Sequence, residues 1–280
     1  MRAKLATILI VVSVSFAYLF WSARPDGLLH IFVLNVGQGD AILIRTPNGT
    51  NVLIDGSVGN TVISELGDVL PYFDRTIDYV ILTHPDRDHL EGLIAVAKRM
   101  SIGRFYLNGA VRDNFLVKDL LETLKLQKIP VVLTDATKDI LLEDGTFFDF
   151  IYPFQLPLDK KDALNNTSIV IKMSYGTTSI LFTGDIEAPT EKEIIAAKAN
   201  IKTDILKVAH HGSRSSSIDE FLDLAQPKLA LISVGQGNSF GHPHKETLDN
   251  LSERKIKVHR TDLEGRIEVI ISPTTFRLRR

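Results

Sequence analysis

The chain reads as an α+β protein in which two β-sheets carry helices on their outer faces, preceded by one apolar N-terminal helix. Three observations predict this. Meandering strands joined by tight turns open the main segment, helices alternate with strands farther along, and a charge-free apolar run precedes both. Sheets with apolar faces to cover pack in layers of this kind. With 280 residues, 44% hydrophobic and 24% charged, the composition is that of a globular protein whose core needs no disulfides.

At the N-terminus, Arg2 and Lys4 precede an apolar stretch over 5–21, which Arg24-Pro25-Asp26-Gly27 ends. Its length lies at the short end of a membrane-spanning helix, roughly 17–25 residues. Two readings stand side by side. Tyr18, Phe20 and Trp21 suit a membrane interface and hence an uncleaved signal anchor. Small Ser15 and Ala17 instead suit a signal peptide cleaved after Ala17. Both put the rest of the chain outside the cytoplasm, membrane-tethered or secreted. Residues 1–27 therefore form the anchor or signal with a short linker, and 28–280 one domain.

That domain opens with strands over 28–34, 40–46 and 52–55, separated by Gly37-Gln38-Gly39 and Pro47-Asn48-Gly49. Asn-Gly between apolar runs is a strong hairpin signal. A helix over 61–70 follows, then a short β-branched strand over 79–82. Leu90, Leu93, Ile94 and Ala97 next recur at helical spacing. A helix over 113–127 precedes strands at 131–133 and 147–152 and a polar loop over 153–167. A second hairpin pairs 168–174 with 178–182. A helix over 188–199 leads to a strand over 204–208, and another helix to a strand over 229–234. A Gly-rich loop over 235–241 comes next, and strands near 257–260 and 266–271 finish the chain.

The chemistry-bearing residues collect where strands end. With no cysteine, thiolate zinc sites, cysteine nucleophiles and disulfide frameworks are excluded, and any metal must be held by His, Asp, Glu or neutral oxygens. The run His84-Pro85-Asp86-Arg87-Asp88-His89 supplies imidazole and carboxylate together, a mixture suiting Zn, Mn or Fe better than Ca or Mg. His84 and Asp86 can point to one ion and Asp88 and His89 to another, with Asp185 between them. Two ions about 3.5–4 Å apart can stabilise both the attacking and the leaving oxygen of a displacement. Asp88 also reads as a helix cap, with Glu91 completing a box-like pattern. Further strand-end groups are Asn165 to Ser168, Thr183-Gly184-Asp185 and His210-His211-Gly212-Ser213. His242-Pro243-His244 reads either as a rigid helix start or as a substrate contact.

Taken together, Asn35-Val36-Gly37-Gln38-Gly39-Asp40, Thr83 to His89, Phe182-Thr183-Gly184-Asp185, Leu206 to Ser213 and Gly241-His242-Pro243-His244 resemble the metallo-β-lactamase superfamily. Within it they are similar to the extracellular hydrolase domain of ComEC-type competence proteins, over residues 28 to about 271. The resemblance implies an αββα sandwich of two mixed sheets flanked by helices, and two divalent ions, Zn or Mn. It assigns His84 and Asp86 to the first ion, Asp88, His89 and His211 to the second, and Asp185 to the bridge. Asp86 stands where the superfamily motif has a second histidine. Asn165-Asn166-Thr167-Ser168 stand where another histidine is usual, which weakens the first site. Asp55 matches a carboxylate that orients the metal loop, and Asp40 joins it among the supporting residues. Asp88, His210 and His244 are the candidates for contact with reacting atoms. Asn165, Asn166, Ser168, Ser213 and His242 are candidates for substrate or supporting contacts.

The function this implies is a metal-dependent phosphodiesterase or nuclease acting on DNA outside the cytoplasm, in DNA uptake. A small-molecule phosphoester, thioester or lactone hydrolase is the alternative in another substrate class. A non-catalytic accessory subunit docking with a separate transport channel is the third. The formal net charge of −2 supplies no global attraction to nucleic acid. No aromatic–basic interleaving marks a strand-binding groove either.

Overall fold

Alternation of apolar residues decides the layering. In β1 (Leu29–Val33), Leu29, Ile31 and Val33 join one buried cluster, while Phe32 and the following Leu34 join another. Successive strand side chains point to opposite faces, so both faces of this sheet are covered. The computed structural model describes residues 4, 7–14, 16, 24–110, 114–156 and 164–279.

The first sheet contains β1, β2 (Ile42–Arg45), β3 (Asn51–Ile54), β4 (Thr76–Leu82), β5 (Ser101–Leu107), β6 (Val131–Leu133), β14 (Ile267–Ser272) and β15 (Thr275–Leu278). Its order is β15-β14-β1-β2-β3-β4-β5-β6, antiparallel up to β3 and parallel from β3 onwards. The second contains β7 (Ile140–Leu141), β8 (Phe147–Tyr152), β9 (Val170–Tyr175), β10 (Thr178–Phe182), β11 (Ile205–Lys207), β12 (Leu229–Ile232) and β13 (Lys257–Arg260). Its order is β13-β12-β11-β10-β9-β8-β7, parallel from β13 to β10 and antiparallel beyond. Ile31, Ile44 and Ile54 of the first sheet pack with Phe148, Ile171, Phe182 and Leu231 of the second, forming the inter-sheet core.

Helices cover the outer faces. After the helical residues 7–14 (α1), the first sheet carries α2 (Thr61–Val69), α3 (Arg87–Arg99) and α4 (Phe115–Leu126). Leu66, Leu90, Leu93, Ile94, Leu120 and Leu124 seat them on it. The second carries α5 (Ala188–Ala196), α6 (Asp219–Ala225) and α7 (Lys245–Glu253), through Ile194, Phe221, Leu222 and Leu251. A short α8 (Thr261–Glu264) links β13 to β14. This is the expected α+β sandwich of two mixed sheets with helices outside.

Three strands were illegible in the sequence. β5 breaks alternation with Gly103 and Arg104 exposed, and it starts immediately after α3. β7 is two residues long, and β15 is an edge strand with no fully buried residue. At the N-terminus the side chains of 7–14 are exposed. Among the described residues no helix is long and apolar enough to cross a membrane. Much of the expected anchor or signal, including Ser15 and Ala17 to Trp21, lies outside the described residues.

Candidate metal centre

The C-terminal ends of β3, β4, β10, β11 and β12 meet at one edge of the sandwich, and each delivers one part of the site. β3 runs into Asp55, β4 into Thr83 and His84, and β10 into Thr183-Gly184-Asp185. β11 leads to His210 and His211, and β12 to Ser233. Two glycines make the approach possible. A side chain on Gly39 (φ +119°) would collide with the Asp88 carbonyl, and one on Gly184 (φ +50°) with Ser168. Asp88 itself lies in the first turn of α3, whose N-cap is Asp86 without a side-chain capping bond. Its carboxylate turns to His211 instead of capping the helix.

Asp88, His89, Asp185 and His211 place their ligand atoms within 4.8 Å of one another. Asp185 Oδ2 lies 3.2 Å from both His89 Nε2 and His211 Nε2, and Asp88 Oδ2 is 3.4 Å from His211 Nε2. Both Nε2 atoms and Asp185 Oδ1 are nevertheless buried without a well-formed hydrogen bond. Close approach without hydrogen-bond alignment is how ligands to a shared cation are disposed.

The opposite ring nitrogens explain why Nε2 faces inward. His89 Nδ1 donates to Asp55 Oδ2 at 2.7 Å. His211 Nδ1 donates to the Ser233 carbonyl at 3.0 Å, with Asp40 Oδ1 at 3.3 Å. His84 Nδ1 faces two hydroxyls, Thr83 Oγ1 at 3.1 Å and Ser168 Oγ at 3.2 Å. Those hydroxyls already donate to Asp55 and to the Asn165 carbonyl. Nδ1 of His84 therefore carries the hydrogen, and its buried, partnerless Nε2 keeps the lone pair. Three imidazoles thus direct Nε2 at this edge, and the donor set fits a borderline divalent metal.

Electrostatics agrees. Burial opposes charge on His89 and His211, but Asp185 with Asp55 for the first, and Asp185 with Asp40 for the second, outweigh it. Both pKa values stand well above that of free imidazole. Burial likewise opposes ionisation of Asp185, yet His211 and His89 hold its carboxyl well below the usual range. A divalent cation would take the place of the protons on these rings. His84 goes the other way, pushed down to about 3 by burial and by His89, which leaves it a neutral ligand.

The first-ion residues are less complete. His84 Nε2 lies 3.7 Å from Asp86 Oδ2, and the His84 and His89 ring centroids are 4.1 Å apart. Among the described residues no third His, Asp or Glu forms a ligand group with this pair. Asn166 and Ser168 do not supply the missing ligand. The Asn166 amide is buried on Glu187, donating to Oε2 at 3.1 Å and accepting from its N–H at 3.0 Å. Ser168 Oγ accepts from the Asp185 N–H at 3.0 Å and so ties the Asp185 turn to His84. Asp40, Asp55 and His89 also lie close. There Asp55 takes three hydrogen bonds and Asp40 pairs with Lys207, so that trio is balanced without a cation.

His210 and His211 part company because both adopt left-handed backbone, φ 50° and 54°. His211 turns inward. His210 stays half-buried beside Asn165 Nδ2 (3.4 Å), Ser215 Oγ (3.3 Å) and Glu187 Oε1 (3.5 Å). His242 and His244 continue a row of imidazoles, with centroids 5.4 Å from His210 to His242 and 4.8 Å from His242 to His244. Burial, then His210, pushes His242 down to about 4. His244 Nδ1 accepts from the Arg214 N–H at 3.1 Å, and Ser213 Oγ meets Ser215 Oγ at 3.0 Å.

Sequence reasoning missed Lys207, Thr83, Glu187, Ser215 and Ser233. Lys207 is 1% exposed, with Nζ 2.7 Å from Asp40 Oδ2, and it neutralises a buried carboxylate beside His211. A charged residue inside the apolar run over 204–208 was the available signal.

The model of the metallo-beta-lactamase superfamily matches residues 34–236. ComE operon protein 3 of Bacillus subtilis is 30% identical over 256 residues, covering 85% of this chain and 32% of that protein. Recombination protein 2 of Haemophilus influenzae is 30% identical over 264 residues, covering 92% and 31%. The chain thus spans about a third of the length of these curated relatives. Among solved structures, Zn(2+)-bound PqqB from Methylobacterium extorquens superposes with a TM-score of 0.56 at 11% identity, over 82% of this chain and 97% of that one. At that identity the likeness is one of fold.

Proposed function

The chain belongs to the metallo-β-lactamase superfamily, and from that premise we propose that it is a metal-dependent phosphodiesterase that cleaves DNA outside the cytoplasm. The observation that carries the reading is the convergence of His89 Nε2, His211 Nε2 and Asp185, bordered by an imidazole row reaching the surface. Asp88, His89, Asp185 and His211 would hold one divalent ion, and His84 with Asp86 would contribute to a second. Bound there, Zn or Mn supplies Lewis acidity to a phosphoryl oxygen and lowers the pKa of water.

The surrounding residues have separable tasks. Asn165 Nδ2 donates towards His210 Nε2, and Ser215 Oγ, which donates to Glu187, accepts from His210 Nδ1. With Nδ1 bonded to Ser215, His210 is placed to move a proton between its Nε2 and a leaving oxygen. His244 accepts at Nδ1, so its Nε2 carries a hydrogen for an anionic oxygen. DNA as the target is supported by the name of one relative, Recombination protein 2. The same proposal has the domain tethered through the 5–21 segment or secreted, acting beside a separate transport channel.

The test incubates the purified chain with labelled single- and double-stranded DNA in Mn2+, Zn2+ or EDTA. Metal-dependent cleavage lost in Asp88→Ala and Asp185→Ala supports the nuclease. Turnover of bis(p-nitrophenyl) phosphate without DNA cleavage transfers the site to small phosphoesters, and failure to bind metal overturns both.

A further inference from the structure

We propose that Phe240 is a stacking platform for the nucleobase beside the scissile phosphate, giving the site a preference for unpaired strands. This rests on the phosphodiesterase reading and adds the part of the substrate that the metal centre does not touch.

Phe240 lies in the loop between β12 and α7, where the Asn238 side chain fastens the backbone around it. Asn238 Nδ2 donates to the carbonyls of Gly235 (2.9 Å) and His242 (2.7 Å), and its Oδ1 accepts from the N–H groups of Phe240 (3.2 Å) and His242 (3.0 Å). The backbone on both sides of Phe240 is therefore held, yet the residue is 62% exposed. A large apolar ring displayed on a fastened loop is arranged for contact.

Its position says with what. The Phe240 ring stacks on His242, with centroids 5.7 Å apart and planes 23° from parallel. His242 in turn lies 6.3 Å from the ring of His211, a cradle residue. An unbroken row of rings thus joins the candidate ion site to a solvent-facing π surface. Among the described residues, the other exposed aromatics lack this continuity. Tyr72 and Phe73 precede β4 at the end opposite the site, and Phe115 opens α4.

One edge of the site accommodates an anionic diester and the adjoining edge a flat apolar face, which is the layout of a nucleotide. A base inside a duplex is already stacked on its neighbours, so the platform is reached by single strands. Aromatic stacking of one base changes affinity by roughly 5- to 150-fold.

The test uses the full chain with Mn2+, an oligothymidylate, and the same strand carrying abasic residues. For the wild type, KM is expected to be about ten-fold lower on the base-bearing strand. Phe240→Ala should raise that KM to the abasic level, and Phe240→Trp should restore the difference. Equal KM values for the two strands in the wild type, or an equal effect of Phe240→Ala on both, overturn the proposal. If neither strand is cleaved, the phosphodiesterase reading fails and the platform is judged by fluorescence. The sole native tryptophan is Trp21, so the added emission of Phe240→Trp reports on position 240. Quenching by oligothymidylate and not by the abasic strand supports stacking. No quenching refutes it.

Discussion

Replacing Asp55 by asparagine tests how the site keeps His89 ready for a cation. Asp55 is fully buried and accepts three hydrogen bonds, from His89 Nδ1 (2.7 Å), Thr83 Oγ1 (2.7 Å) and Thr83 N (2.8 Å). All three partners donate, whereas an asparagine offers one oxygen and one NH2. With the amide oxygen towards His89, the NH2 meets the Thr83 N–H and a buried donor is left unpaired. With the NH2 towards His89, Nδ1 must become the acceptor. The ring hydrogen then moves to Nε2, the atom facing Asp185. The first arrangement lowers stability by about 1–3 kcal/mol. The second blocks a metal ligand, and losing such a supporting partner costs about 10–100-fold in metal affinity.

Asp55→Asn should therefore lower the melting temperature in EDTA by roughly 2–12 °C, at about 2–4 °C per kcal/mol for a domain near this size. In a competition titration against a chromogenic chelator, Mn2+ affinity should fall within the same 10–100-fold range. A variant that folds and binds metal as the wild type does would show that Asp55 does not set the His89 tautomer.

The two halves of the metal centre should separate by titration calorimetry. His211→Ala removes one of four converging ligands and should abolish the tighter binding step, whereas His84→Ala should spare that step and remove only a weaker one. Lys207→Met strands the Asp40 carboxylate in the interior and should lower stability by about 3–5 kcal/mol in urea unfolding, most of it recovered in Lys207→Met/Asp40→Leu. Additive losses in the double variant would contradict the pairing. Glu191 gives a pH signature. Burial raises its carboxyl from 4.5 to about 7 against the hydrogen bonds it accepts from the Ile218 and Ser217 N–H groups. A folded-state pKa above the unfolded one stabilises most below pH 4.5 and is lost as pH rises through about 7. The wild type should thus lose up to about 3 kcal/mol relative to Glu191→Gln across that window. Parallel pH profiles would refute the assignment.

The candidate ligands were legible because each sits in a short local pattern at a strand end. Apolar runs ending in His84 to His89, Asp185 or His210-His211 locate them without any knowledge of the sheets. What the pattern did not carry is direction. Asp88 read equally well as a helix cap, and only the placement of His211 across the site turns its carboxylate away from α3. Asn166 and Ser168 stood where a ligand was sought, but Glu187 and the Asp185 N–H, distant in sequence, occupy their polar atoms. Lys207 carries a charge inside a strand, and its partner Asp40 meets it only when the two sheets pack. The inward nitrogen of His211 is set by the Ser233 carbonyl, a group every residue type carries, so no residue identity could announce it. Position in this site is encoded locally, whereas orientation arises from partners that meet only when the two sheets pack.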